Sequence, residues 1–331
     1  MSDDADIVLD VRDLRTRFGP PSRGLVAVDG VSFALRRGRT TALVGESGSG
    51  KSATALSLLG LIDPPGAVTG GQVLYRGRDL AQADEQEMRR VRGARIGIIF
   101  QDPLTSLNPA LPIGSQIAET ILAHEPVGRA EATARAVALL ARVGVADAAR
   151  RAADYPHHFS GGMRQRVLIA AAIACRPDII IADEPTTALD VTVQAKILRL
   201  LYDLQQDMAA SLLLITHDLG VVAAMADDVL VMYAGRVVEY ADVDTLFHAS
   251  RHPYTRALLS CMTGVEDDRN VPLSPIAGAP PDLHSPPPGC RFAPRCRYAE
   301  RACTEWRPVA QSLSGTHAVA CRRVAEMLVD G

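Results

Sequence analysis

An α/β protein with a mostly parallel sheet is what this sequence predicts, and three observations carry the prediction. Short β-type runs alternate with longer helix-compatible stretches, several of those runs are apolar on both faces, and one leads straight into a glycine-rich loop, "GESGSGKS" at residues 45–52. Strands apolar on both faces suit a sheet covered by helices on either side. With 331 residues and 47% hydrophobic content, the chain can build one large domain or two modest ones.

Taken in order, the β-type runs are "IVLDV", "TTALVG", "IGIIF", "DIIIADE", "SLLLITH" and "VLVMYAG". Between Gln101 and Ser160 the β character disappears and "GRAEATARAVALLARVGV" places apolar residues at helical spacing, so an inserted helical subdomain is expected at roughly residues 102–165. "HPYTRALLSCM" reads as a short helix on the main domain. Beyond it, "PLSPIAGAPPDLHSPPP" at 272–288 holds seven of the 21 prolines, which prevents regular helix or interior strand and favours an extended connector. The expected division is a main domain at 1–265, a proline-rich connector at 266–289 and a small cysteine-rich extension at 290–331.

Composition narrows the function classes. Charged residues make up 22%, acids exceed bases by only three and no long block of one sign occurs, so nucleic acid is not an expected partner. Arg89, Arg90, Arg92 and Arg95 read as a solvated helix face. The start, "MSDDADIVLD", has no apolar core of signal-peptide length, and export is not expected. The best candidate for a membrane span, "VLIAAAIAC", stops at Arg176, well short of the ~18 apolar residues required. Six cysteines without an export signal point to reduced thiols or a metal site rather than disulfides, with Cys175 and Cys261 in apolar helical contexts reading as core.

Two stretches carry phosphate chemistry. The loop at 45–52 follows the apolar run "TTALV" and precedes the helix-like "ATALSLLGL", which is the strand, loop, helix context that a nucleoside triphosphate site requires. Gly45, Gly48 and Gly50 let backbone N–H groups turn inward around phosphate oxygens, with Glu46, Ser47, Ser49 and Ala53 completing the cradle. Lys51 supplies a cation to the β and γ phosphates, and the Ser52 hydroxyl is placed to ligate Mg²⁺. In "IIIADEPTTALD" an apolar strand ends in two carboxylates with different tasks. Asp183 is placed to hold Mg²⁺, and Glu184 to accept a proton from attacking water.

Together with "FSGGMRQRV" at 159–167, these residues resemble the ATP-binding subunits of ABC transporters over most of the chain. The resemblance implies a P-loop ABC-type nucleotide-binding domain: a RecA-like parallel sheet, an N-terminal antiparallel β part and the inserted helical subdomain. It also explains the second glycine-rich helix start. Ser160, Gly161 and Gly162 would meet the γ phosphate of an ATP held by the first loop of a partner chain, and a helix start suits that anion. Phe159 and Met163 stand where the most familiar form of this signature has Leu and Gln. The same resemblance makes Gln101 the loop glutamine that senses Mg²⁺ and water, His217 the switch histidine that contacts the γ phosphate, and Asp190 part of a loop crossing the dimer interface. It makes Phe18 the aromatic that stacks on adenine.

Cys290, Cys296, Cys303 and Cys321 are spaced C-x5-C-x6-C-x17-C, which fits a compact zinc module poorly, while four thiolates can equally hold an iron–sulfur cluster. Zinc and free, packed thiols stay open. "PPGCRFAPRCRYAERAC", "HPYTRALL" and "QDPLTSLNP" resemble the dipeptide, oligopeptide and nickel uptake branch, some of whose members carry a [4Fe–4S] cluster in this extension. The implied protein is an ATPase subunit, peripheral at the cytoplasmic face of the membrane. Its implied partners are two integral permease subunits, a second identical or related ATPase and, indirectly, an extracytoplasmic substrate-binding protein. Its implied cofactors are ATP, Mg²⁺ and a [4Fe–4S] cluster. A nickel importer, a soluble ABC ATPase outside transport and a redox-sensing regulator are the competing expectations.

Overall fold

The computed structural model describes residues 6–20, 23–187, 189–261 and 276–327. The end of the expected main domain at 262–265, the connector at 266–275 and the last four residues of the extension therefore lie outside the described residues.

Twelve strands are present among the described residues: β1 (Ile7–Phe18), β2 (Leu25–Arg36), β3 (Thr40–Val44), β4 (Gly66–Tyr75), β5 (Arg78–Asp79), β6 (Ile96–Ile99), β7 (Ile179–Asp183), β8 (Ser211–Thr216), β9 (Asp228–Tyr233), β10 (Arg236–Asp242), β11 (Gln311–Ser314) and β12 (His317–Val319). Every residue of β3, β7, β8 and β9 is buried, as their two-sided apolar character demands. The chain divides into two compact units. One comprises Gln82–Ile215 with Leu35–Thr40 and the N-terminal segment to Val8; the other comprises Leu9–Ala34, Thr41–Ala81 and the chain from Thr216 onward.

In the first unit β6, β7 and β8 run parallel, with Ile98 facing Ile181 and Ala182 facing Leu214. Between β6 and β7 the chain is helical, at Pro103–Ser106, Ile113–His124, Arg129–Arg142, Ala148–Arg151 and Gly161–Ala172. The helix Val191–Met208 buries Ile197, Leu201 and Leu204, one stripe at helical spacing, and starts on an Asp190 cap.

In the second unit an antiparallel sheet has the order β2-β1-β4-β5, with Val11 opposite Val73 across β1 and β4. Its other strands run β11-β12-β10-β9-β3, antiparallel except for the parallel pair β9 and β3. Residues 290–327 belong to this unit, where β12 pairs with β10 through Glu239–Val319 and Tyr240–Ala318. Its core joins Val44, Val231, Tyr233, Leu246 and Tyr254 to Phe292 from the cysteine-rich segment. Tyr233, Tyr254 and Phe292 meet with ring centroids 4.6 to 5.4 Å apart, in the tilted and edge-on range that aromatic quadrupoles favour.

Candidate active site

The phosphate-type loop leaves β3 and ends at the helix Lys51–Leu58. Two glycines are dictated by space. A Cβ on Gly45 would lie 2.1 Å from the Met232 carbonyl oxygen, and one on Gly50, where φ is 104°, would lie 2.2 Å from that of Ala27. The Gly235 amide donates to the Ser49 carbonyl at 2.7 Å, and Thr54 Oγ1 donates to the Gly50 carbonyl at 2.9 Å. Lys51, only 6% exposed, folds its side chain back onto the loop, its Nζ donating to the carbonyls of Gly45 at 2.9 Å and Glu46 at 3.0 Å. Ser49 Oγ is buried and has no hydrogen-bond partner among the described residues, an orphan polar atom of the kind a phosphate oxygen satisfies. Ser47 and Gly48 are exposed at the loop's tip, and Ser52 and Ala53 are half-buried at the helix start.

Residues absent from the sequence expectations back this loop. The Glu46 amide donates to the buried Tyr254 hydroxyl at 2.9 Å, and burial pushes that phenol well above its ordinary value, so it stays protonated. The Glu46 carboxylate is held by both outer nitrogens of Arg295, at 2.7 and 3.0 Å. Arg291 donates to the Ala234 carbonyl in the turn between β9 and β10, and to Asp29 at 2.6 Å. Burial, joined by the neighbouring charge of Arg236, pushes Arg291 down to about 10, which still leaves it a cation at neutral pH. Asp29 gathers Arg15, Arg236, Arg291 and Arg307. Burial works against its carboxylate, but the hydrogen bonds from Arg236 and the charges of Arg236, Arg291 and Arg307 hold its pKa below the usual range.

Two further predicted residues lie in this unit. His217 is exposed on the turn after β8, between Thr216 and Asp218, the latter capping the helix Leu219–Met225. Phe18 ends β1 half-buried, its ring so close to Gly66 that a Cβ there would meet it at 2.7 Å.

In the other unit β7 delivers Asp183, 7% exposed, and the chain then turns through Glu184, whose φ is 45°. Glu184 shares this left-handed backbone region with Asp13, Arg76, Asp147, Arg176, Ala209 and Ala234. Glu184 Oε2 accepts from Gln101 Nε2 at 3.0 Å and from Thr187 Oγ1 at 2.9 Å, and the Glu184 amide donates to the Ile215 carbonyl at 2.9 Å. Gln101 and Glu184, 83 residues apart, are thus brought together. Asp190 caps the helix Val191–Met208, its Oδ1 accepting from the Val193 amide at 3.0 Å.

Ser160 is the N-cap of the helix Gly161–Ala172, yet its exposed side chain makes no capping hydrogen bond. Gly162 lies close under Val193, whose Cγ1 a Cβ there would meet at 2.6 Å. Phe159 is buried beneath the Arg151 guanidinium, 4.2 Å from its ring centroid, and Met163 Sδ also meets Arg151, at 3.8 Å. Those two substitutions in the signature are therefore tied together by one arginine.

Ser52, Asp183 and Gln101 offer oxygen donors, the chemistry Mg²⁺ takes. The cysteines are a different case. Cys290, Cys296, Cys303 and Cys321 line one small pocket with His252, Phe292 and Trp306. Burial pushes the thiols of Cys290, Cys296 and Cys321 up, Cys321 to about 11. Among the described residues no group of three or more His, Cys, Asp or Glu side chains is arranged to hold a metal ion, and the expected iron–sulfur site gains no support there.

A strand feeding a glycine-built loop with a folded-back lysine, and a second strand ending in a buried aspartate and a strained glutamate, define a P-loop nucleoside triphosphatase. Residues 28–187 match the ABC transporter family, and residues 238–303 match the oligopeptide/dipeptide transporter C-terminal region. The chain is 50% identical to a probable peptide ABC transporter ATP-binding protein of Sinorhizobium fredii, over 98% of this chain and 97% of that one. It is also 50% identical to the oligopeptide transport ATP-binding protein OppD of Bacillus subtilis, over 94% and 87%. A solved dimer of the ATP-binding cassette MJ0796 bound to ADP and Pi superposes with a TM-score of 0.64 at 26% identity, covering 71% of this chain and 98% of that one. The chain belongs to the ATP-binding subunits of the ABC transporter family and is an ATPase. Among the described residues no helix is long and apolar enough to cross a membrane.

Proposed function

We propose that this subunit hydrolyses ATP to drive uptake of di- or oligopeptides, from the cytoplasmic face of the membrane. Its partners would be two integral permease subunits, a second ATPase chain and an extracytoplasmic substrate-binding protein. The observation that carries this reading is near-full-length identity of 48–50% to peptide, oligopeptide and dipeptide transport ATP-binding proteins.

The amide cradle at 45–53 and Lys51 would hold the β and γ phosphates, with Phe18 against the adenine. Ser52, Asp183 and Gln101 would hold Mg²⁺, which when bound neutralises charge on those phosphate oxygens. Glu184 takes the proton of the water that attacks the γ phosphorus in line, and its strained backbone and the hydrogen bonds from Gln101 and Thr187 fix the carboxylate for that task. His217 donates to the γ phosphate. Ser160, Gly161 and Gly162 of the second chain complete the anion site, and Asp190 lies in the loop facing that chain.

Cells lacking the chain test this directly. Uptake of a labelled peptide should return with the wild-type chain and not with Glu184→Gln; return with both would refute the coupling of hydrolysis to transport. A [4Fe–4S] cluster in the extension is a second reading that rests on the family resemblance and on four cysteines facing one pocket, where no group of three or more is arranged to hold a metal ion among the described residues. Chain purified without oxygen should then carry iron and sulfide in equal amounts with visible absorption, and metal-free chain would refute it.

A further inference from the structure

Glu46 raises a question that the hydrolytic reading leaves untouched. It is a carboxylate inside a loop whose task is to accept a polyanion, and an unpaired negative charge there repels the phosphates. Arg295 meets it. Only 4% of the Arg295 side chain is exposed, and its two outer nitrogens fork onto both Glu46 oxygens at 2.7 and 3.0 Å. The guanidinium is held from behind: Nε donates to the Ala277 carbonyl at 3.0 Å, Nη2 to the Ile276 carbonyl at 3.1 Å, and Nη1 reaches the Tyr233 hydroxyl at 3.3 Å.

The same short stretch acts on the loop a second time. Arg291 fixes the Ala234 carbonyl, and the next residue, Gly235, donates its amide to Ser49 in the loop at 2.7 Å. The two arginines follow and precede Cys290 and Cys296, so the stretch that carries the cysteines also grips the loop at Glu46 and behind Ser49. Tyr254 adds a third hold, on the Glu46 amide.

We propose that Arg295 is a positioning residue for nucleotide binding: acting through Glu46, the cysteine-rich segment neutralises the phosphate loop and holds it in its binding conformation. This rests on the reading that residues 45–52 hold the nucleotide's phosphates. Removing the arginine strands Glu46 as a bare carboxylate beside the bound phosphates, and removing Glu46 as well takes that repulsion away.

The test is titration of the full chain with MgADP, which is not hydrolysed and so bypasses Glu184. Arg295→Met should weaken binding on the order of tenfold, within the range for directly contacting partners. Arg295→Lys, which keeps the charge but loses the fork, should fall in between, and Glu46→Gln, which keeps the backbone amide of the cradle and loses only the carboxylate charge, sets the reference affinity for the pair. The deciding chain is the double variant Glu46→Gln/Arg295→Met, whose affinity should return to within about threefold of Glu46→Gln, the coupling expected of a contacting pair. A double variant as weak as Arg295→Met, or an Arg295→Met that binds like wild type, overturns the proposal, because a purely structural arginine is not rescued by deleting a negative charge. If Arg295→Met does not fold, Arg295→Lys against Glu46→Gln/Arg295→Lys carries the same comparison. Lys51→Ala separates the two layers. Wild-type MgADP affinity in that variant refutes the loop itself, whereas lost affinity there with unchanged Arg295 variants refutes only the inference.

Discussion

The phosphate loop and the Ser160–Glu184 region differ in how far each is finished within the chain. Around the loop, the residues behind the glycines are buried and charge-paired: Asp29 with its four arginines, Glu46 with Arg295, and Tyr254 beneath the Glu46 amide. The other region ends in exposed side chains, a strained Glu184 and a helix start whose cap residue leaves its amides without a side-chain partner. Prebuilt cradles bind, because little ordering remains to be done when the ligand arrives. A helix start presented to solvent suits an anion brought by another molecule. The contrast is what the proposed two-chain site would require.

The sharpest break of this comparison is Glu184→Gln. Turnover should fall by ~10²–10⁴, the range for loss of a general base, while MgATP affinity, set by the loop, holds. Wild-type turnover would remove Glu184 from the mechanism, and equal loss of affinity would erase the distinction between the regions. Next in size is Asp29→Ala, which leaves the buried Arg291 without its carboxylate. We expect a loss of about 3–5 kcal/mol in chemical unfolding, the range for a broken buried pair. A loss below about 1 kcal/mol, the value of an exposed pair, would mean the hub does not brace the unit.

The smallest expected effect is one of pH. Burial works to raise the Glu239 pKa, but hydrogen bonds from His317 and the amides of Arg251 and His252 outweigh it and hold it below the ordinary 4.5. A carboxylate depressed on folding contributes stability above its unfolded pKa and loses it as the pH falls through the lower, folded value. Unfolding midpoints should therefore drop below pH 4.5, and Glu239→Gln should flatten that acid slope while lowering the midpoint at pH 7. An unchanged slope would show that Glu239 is not the residue joining β10, β12 and the segment at Arg251 in acid.

The local form of the candidate site, its loop, strand end and helix start, was legible because each part is short and contiguous. The loop, the Asp183–Glu184 pair and the Ser160 helix start each occupy a few consecutive residues whose backbone demands are visible as glycines and apolar flanks. The buried strands were legible for the same reason, their two-sided apolar runs allowing no exposed face. What was not legible depends on distant charge. Arg291 and Asp29 are 262 residues apart, and Arg295 and Glu46 are 249 apart. In sequence, each arginine of "CRFAPRC" looks like an ordinary solvated residue. The extension also reads as an appendage after a proline run, whereas its Phe292 sits in the core beside Tyr254 and its β12 continues a sheet. The resemblance makes Asp190 part of an interface loop, and within the chain its side chain caps the helix Val191–Met208.

The most direct test of completion by a second chain is ATP turnover per chain as the protein is diluted at saturating MgATP, with and without added Lys51→Ala chain. That variant cannot hydrolyse on its own but still offers Ser160, Gly161 and Gly162. Turnover per wild-type chain should fall on dilution and recover as the variant is added. A rate that stays constant on dilution and ignores the added variant would contradict a site built from two chains.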